Sequence, residues 1–208
     1  MRVGEHMIFG HGFSRAIQLS GKRVYLRAPR NGDFAHWQRC RDRSREHLQP
    51  WEPLWHPDAM TKRGWRICHQ AWKAGWREGR TFAFFIWHRE TNALLGGVAI
   101  SNVRRGAAQT GSLGYWLDIE AVEKGYMFEA VEAVIEFAQK TLGLMRLEAS
   151  TLPENERSQR LLVKCGFVKE GQAEAFLQIA GDRRTHVLYG LNVLAKYSDK
   201  AIRLQESR

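Results

Sequence analysis

The sequence predicts an α/β chain of the α+β kind, a mixed and twisted sheet flanked by helices. Its strongest support is the stretch of residues 111–167, which reads strand, polar loop, amphipathic helix, strand, capped helix. A second support is a set of apolar runs of strand length on both sides of that unit, separated by turn residues. The third is organisational. With 208 residues and no internal repeat, low-complexity tract or obvious linker, the chain suits one domain with a real core.

Taken in order, residues 1–21 read as an N-terminal extension without the apolar centre of a signal peptide. Residues 22–27 alternate with period two and predict a first strand. Asn31 or Asp33 can cap a following helix that carries Phe34 and Trp37 on one face. Pro50, Pro53 and Pro57 keep residues 48–58 out of regular helix, because proline has no amide hydrogen and clashes with the preceding turn. Thr61 caps a second helix on which Trp65, Cys68 or His69, Trp72 and Trp76 share a face, a spacing that predicts packing. Residues 81–87 and 94–102 are apolar strands joined by a turn at residues 89–92.

The strand of residues 111–118 leads through the loop of residues 119–124 into a helix starting at Gly125-Tyr126-Met127. There Met127, Ala130, Val131, Val134, Ile135, Ala138 and Leu142 keep i, i+3, i+4 spacing and predict one buried stripe. Glu129, Glu132, Glu136 and Lys140 face away from it. Residues 145–151, 167–179 and 183–192 supply the remaining strands, the last two joined at Gly181-Asp182. The folded domain is placed at residues 22–192, and residues 193–208 read as a polar, basic tail.

A loop that delivers backbone N–H groups to a helix N-terminus is an anion seat, because unsatisfied donors and the helix dipole both point there. At Lys124-Gly125 the anion it suits is a pyrophosphate. Gly114-Tyr115-Trp116-Leu117-Asp118, then Lys124-Gly125-Tyr126-Met127, Pro153-Glu154-Asn155 with Ser158, and Cys165-Gly166-Phe167 follow in an order and spacing that resembles the GNAT acyl-CoA N-acyltransferases. More narrowly, the chain looks like the RimJ/RimL type, the ribosomal-protein alanine N-acetyltransferases. The residues behind that likeness are Leu48-Gln49-Pro50-Trp51-Glu52-Pro53, Ser101-Asn102-Val103-Arg104-Arg105-Gly106, Met127-Phe128-Glu129-Ala130 and Lys169-Glu170-Gly171. The resemblance covers about residues 22–192.

The resemblance implies the GNAT fold, in which the central strand of residues 113–118 splays from its neighbour. It implies acetyl-CoA as cosubstrate and direct transfer to an amine in a ternary complex, without a covalent enzyme intermediate. The implied acceptor is the N-terminal α-amine, Ala or Ser, of a ribosomal protein in the cytoplasm. A small-molecule amine, either an amino acid or an antibiotic, is the alternative acceptor. A weakly active or inactive ribosome-associated assembly factor of the same fold is the other alternative.

Composition narrows the field. Hydrophobic residues at 44% and charged residues at 26% mark an ordinary globular protein, and no apolar run approaches the ~18 residues of a membrane span. Three cysteines without any C-x-x-C suit a reducing compartment, and eight scattered histidines offer no metal-ligand spacing. The net charge of +10 favours polyanions, namely the phosphates of coenzyme A, ribosomal RNA, or both, and disfavours polycations such as aminoglycosides.

Site roles follow from the resemblance, residue by residue. The backbone at Leu117, Asp118 and Ile119 pairs with the pantetheine arm and donates to the acetyl oxygen, while Lys124, Gly125 and Tyr126 seat the pyrophosphate. Asn155, by itself a good helix N-cap, also holds the pantetheine; Ser158, by itself a polar first-turn residue, stands beside the sulfur as donor to the leaving thiolate. The phosphate loop departs from the family pattern at Glu120 and at Glu123, which replaces a glycine. Glutamate lacks glycine's backbone freedom and adds negative charge that Lys124 only partly offsets, so weaker cofactor binding is expected. The general base is assigned to Glu120, with Asp118 as the alternative; relatives carry a glutamate where Ile119 stands. Trp51 and Glu52 form the substrate wall, Glu52 receiving the peptide ammonium, and Tyr115 and Tyr189 read as core.

Overall fold

The structure is a computed structural model that describes residues 17–194. Residues 1–16 of the extension and 195–208 of the tail lie outside the described residues. The chain runs β1 (Gln18–Ser20), β2 (Val24–Arg27), α1 (Phe34–Arg43), α2 (Arg45–Leu48), α3 (Lys62–Glu78), β3 (Phe82–His88), β4 (Leu94–Arg104) and β5 (Thr110–Leu117). It continues through α4 (Tyr126–Lys140), β6 (Arg146–Thr151), α5 (Glu156–Lys164), β7 (Val168–Ile179) and β8 (Asp182–Asn192). All eight strands join one sheet in the order β1-β2-β3-β4-β5-β6-β8-β7. Neighbours are antiparallel except β5 and β6, whose parallel pairing requires a crossover connection, supplied by α4.

Burial on both faces explains the apolar runs. In β3, Phe82, Phe84 and Ile86 enter the core under α4, while Phe85 and Trp87 enter a second cluster with Trp37 of α1 and Trp65 of α3. A strand covered on both faces reads as a continuous hydrophobic run. The tryptophans of α3 are packing residues: Trp65 meets Trp37 at 5.2 Å and Trp76 meets Phe84 at 5.2 Å, between ring centroids. Thr61 caps α3 as expected, accepting from the Gly64 amide at 3.1 Å. The predicted stripe of α4, from Met127 to Leu142, is buried throughout. Among the described residues, no helix is long and apolar enough to cross a membrane.

Four local expectations need correction. Strand β1 lies inside the segment read as an extension and pairs with β2. Asp33 does not cap α1 with its side chain; its carboxylate is taken by Arg27 at 2.7 and 2.8 Å and by the Arg30 amide at 2.7 Å. Glu129 does not face solvent: it is 14% exposed and accepts from the Arg23 amide and Nε, both at 2.7 Å. The turn between β7 and β8 sits at Ala180-Gly181, with Asp182 already in the strand.

One buried carboxylate ties the end of β5 to α1. Asp118 is 1% exposed, and its oxygens accept from Arg43 Nε at 2.8 and 2.9 Å, Arg43 Nη2 at 2.5 Å and the Glu120 amide at 3.0 Å. Ser44, buried beside it, takes the Ile119 amide on its hydroxyl at 2.9 Å. Burial pushes the Asp118 carboxyl up, but hydrogen bonds from Arg43, Cys40 and Glu120 outweigh it and hold the group below the ordinary carboxylate range.

Asp118→Asn is expected to cost about 1.5–3 kcal/mol at pH 7, the scale of hydrogen bonds to a charged group. The folded-state value lies below the ordinary 3.8, so the wild-type advantage is complete above that value and is lost as pH falls through the folded-state value. Urea unfolding of both proteins from neutral to acid pH measures it. Parallel stability curves would mean that the charge contributes nothing.

Candidate active site

The site begins as a failure of strand pairing. Strands β5 and β6 pair only through Thr110, Gly111 and Ser112 against Arg146, Leu147 and Glu148. Beyond that point β5 stays with β4 as far as Gly96↔Leu117, and β6 stays with β8 as far as Thr151↔Val187. The strands therefore part, as expected for the central pair, and open a cleft of about 690 Å³. Gly114, with nothing within 4 Å of where a Cβ would stand, keeps the β5 rim open. The Asp118 amide donates to Leu95 O on β4 at 2.8 Å. Alternation along a strand turns the Leu117 N–H the other way, toward the gap. Leu117 is thus placed as a donor, whereas Ile119 is not, because its amide is bound to Ser44.

At one end of the cleft lies the loop before α4. Gly125 is the α4 N-cap at φ 81°, no side chain caps the helix, and Glu123 also holds a left-handed φ of 61°. The glycine pattern that Glu123 breaks is therefore a real backbone requirement, met here with strain of roughly 1–2 kcal/mol. Its side chain turns out to Arg157 on α5, 2.9 Å away, so the two rims are joined by an exposed ion pair. Arg23, just before β2, pins the loop, donating to Lys124 O at 2.9 Å and lying 4.7 Å from the Tyr126 ring centroid. Sequence reasoning missed Arg23, which has no motif around it. The Lys124 and Tyr126 side chains do not line the cleft; what they bring to the anion seat is backbone.

At the other end, Asn155 caps α5 by accepting from the Ser158 amide at 3.1 Å, and both residues line the cleft. Ser158 Oγ lies 2.8 Å from the Tyr115 hydroxyl, so Tyr115 is more than the core residue it was read as. Burial pushes the Tyr115 phenol well above its ordinary value, which keeps it protonated at any working pH. A helix start with free amides, an open strand edge and a hydroxyl pair in sequence fit coenzyme A: pyrophosphate, amide-bearing arm, sulfur. Arg160 and Lys164 on α5 add positive charge along the same rim.

Neither Asp118 nor Glu120 lines the cleft. Asp118 is buried under Arg43 outside the cleft, and Glu120 is exposed and paired with Arg43 Nη1 at 3.1 Å. Trp51 and Glu52 do line the cleft, but the Glu52 carboxylate is consumed by Arg41, at 2.5 and 2.8 Å, and by Trp55 Nε1 at 2.7 Å. It therefore props the wall instead of receiving an ammonium. Arg41 is itself stacked between Trp55 and Trp116, 4.3 and 5.1 Å from their ring centroids. Two imidazoles, His47 on α2 and His186 on β8, line the cleft and were passed over because neither sits in a spacing motif. None of the three cysteines lines it, and burial beside Asp118 pushes the Cys40 thiol up to about 12. Among the described residues, no group of three His, Cys, Asp or Glu side chains is placed to hold a metal ion.

Comparison with known proteins agrees with this geometry. Residues 23–168 match the Acetyltransferase (GNAT) domain family. The chain is 32% identical over 175 residues to the [ribosomal protein uS5]-alanine N-acetyltransferase of Escherichia coli (strain K12), covering 84% of this chain and 90% of that one. Its fold superimposes on the ribosomal-protein-S5-alanine acetyltransferase of Vibrio fischeri with a TM-score of 0.79 at 30% identity, covering 85% and 96% of the two chains. Mycobacterium smegmatis RimJ, solved in complex with CoA-disulfide, gives a TM-score of 0.80 at 29% identity over 84% and 87%. A strand pair that parts beside a helix start without a side-chain cap, in a chain with these relatives, makes this protein a member of the GNAT acetyltransferase family and an acetyl-CoA-dependent N-acetyltransferase.

Proposed function

We propose that the acceptor is the N-terminal α-amine of a ribosomal protein whose first residue is alanine or serine. The observation that carries this reading is the ion pairing of every carboxylate on the cleft. Glu52 is held by Arg41, Glu123 by Arg157, Glu154 by Arg184 and Glu156 by Arg160. A site without a free carboxylate base favours an amine that is already partly neutral. An α-amine titrates near 7.7–8.0 but a lysine near 10.4, a handicap of about 4 kcal/mol at neutral pH. Relatives that act on ribosomal-protein alanine support the same acceptor. A ribosomal acceptor would set the work in the cytoplasm, and the net charge of +10 suits contact with ribosomal RNA.

The chain's own residues divide the labour. Acetyl-CoA supplies an activated acetyl group as a thioester. The first-turn amides of α4 hold its pyrophosphate, the open edge of β5 aligns its arm, and the Leu117 N–H faces the developing oxyanion. Ser158, backed by the protonated Tyr115, gives a proton to the departing sulfur. Trp51 and the propped Glu52 wall confine the peptide end.

A peptide beginning with Ala or Ser is expected to be acetylated on its α-amine, with free lysine, polyamines and aminoglycosides reacting poorly. Mass spectrometry of a mixed panel with acetyl-CoA decides it, and preferential acetylation of a small-molecule amine would overturn the acceptor. Ser158→Ala should lower kcat about 10²-fold or more while leaving the KM for acetyl-CoA nearly unchanged, since a leaving-group donor acts in the transition state. Full turnover across pH would mean that the thiol leaves unaided. Glu123→Gly should tighten CoA binding several-fold by isothermal titration, because it relaxes a left-handed backbone and frees Arg157 for phosphate. An unchanged Kd would make the departure silent.

A further inference from the structure

We propose that His186 is the base that takes the proton from the acceptor amine, an assignment that rests on the α-amine reading above. His186 lies on β8, is 3% exposed and lines the cleft, with the edge of Phe176 packed against its ring at 5.8 Å between centroids. Its Nδ1 lies 3.0 Å from Arg184 O. A carbonyl only accepts, so Nδ1 carries the hydrogen and Nε2 keeps the lone pair. The backbone of β8 thus prepares the tautomer a base needs, and the ring cannot easily turn.

Strand register puts this side chain on the acceptor's side of the sheet. Gly111 pairs with Leu147 and Leu147 with Leu191, so odd-numbered residues of β5, β6 and β8 share one face of the sheet. That face holds Leu113, Tyr115 and Tyr189, whose hydroxyl bonds Gln159 on α5 at 3.1 Å, and it is where Ser158 stands. His186 and Trp116 fall on the opposite face, where Trp116 packs with the aromatic cluster around α1 and α3. The loop carrying Trp51 and Glu52 reaches the β7–β8 hairpin through a hydrogen bond from the Ala180 amide to Glu52 O, at 2.9 Å. Base and leaving-group donor therefore stand on opposite faces, connected through the gap between β5 and β6. An amine approaching from the peptide side meets His186; a sulfur on the α5 side meets Ser158.

The rival carboxylates are engaged by cations. All four carboxylates that line the cleft are in ion pairs. His47, the other imidazole on the cleft, stands on α2, where burial and then the charge of Arg157 lower it against the opposing pull of Asp118. The charged side chains on β7 and β8 are Lys169, Glu170, Glu174, Asp182, Arg183 and Arg184, and Glu52 and Glu154 stand on the neighbouring cleft wall. Of these, Arg184 is held by Glu154, Glu52 by Arg41, and Arg183 bonds the carbonyls of Ala175 and Phe176. The step balances without any further reagent. The C–N bond forms as the C–S bond breaks, one amine hydrogen goes to His186 Nε2, and the sulfur takes one from Ser158 Oγ, which solvent refills as the imidazolium releases its own.

His186→Asn tests it, because the asparagine amide can still donate to Arg184 O while the base is gone. Acetylation of an Ala-initiated peptide is expected to fall 10²- to 10³-fold in kcat, with CoA affinity by titration within twofold of wild type and partial rescue by added imidazole. The acid side of the kcat/KM profile should lose one ionisation, leaving only that of the acceptor amine. Independently of turnover, ¹⁵N NMR of the free protein should find the hydrogen of the neutral His186 ring on Nδ1. A kcat within threefold of wild type with an unchanged pH profile, or a hydrogen on Nε2, overturns the assignment. A wild type that ignores N-terminal peptides overturns the acceptor instead, and the same comparison is then made with whichever amine of the panel reacts.

Discussion

Strand β5 cannot follow both of its neighbours, and the site exists because of that conflict. Its antiparallel partner β4 holds it along its length, while its parallel partner β6 is carried away by β8 after three paired residues. The parting leaves two strand edges with unpaired amides and carbonyls, which a folded protein tolerates only where water or a ligand can satisfy them. An extended arm with its own amides is the natural occupant. The helix start at Gly125, the Asn155 cap and the hydroxyl pair of Ser158 and Tyr115 are all set by where the two strands go after they separate.

Local signals are legible in the sequence and distant pairings are not. Thr61 capping α3, Asn155 capping α5 and the Met127–Leu142 stripe depend on residues within a turn or two of each other, so spacing reveals them. Asp118 with Arg43, Glu129 with Arg23 and Glu52 with Arg41 join residues brought together only by the fold. Composition hinted at this outcome, since 32 Lys and Arg against 22 Asp and Glu leave a carboxylate little chance of standing alone. Glu52 and Asp118 brace local structure through Arg41 and Arg43. His186 was invisible for another reason: its role follows from a backbone carbonyl two residues away and from the face of a strand, and neither leaves a motif.

The cleft wall around Trp51 and Glu52 is stiffened by stacked cations. Arg41 lies between Trp55 and Trp116 and Arg45 stacks on Trp55, 5.0 Å from its ring centroid. Guanidinium planes sit well on indole faces, and the contact strengthens where water is excluded. The prolines around Trp51 remove regular helix from this segment, and the stack replaces the order that helix would have given.

The three thiols are kept off the cleft surface. Cys40 and Cys165 are buried, Cys68 is half-buried on α3, and none of them borders the cleft in which a thioester would lie. Burial also raises the Cys40 and Cys68 thiols, so little thiolate forms near neutrality. Such a protein offers free coenzyme no partner for a mixed disulfide inside its own cleft. Its turnover should therefore be indifferent to mild oxidation and to alkylating reagents, a resistance built in by where the sulfur atoms were left.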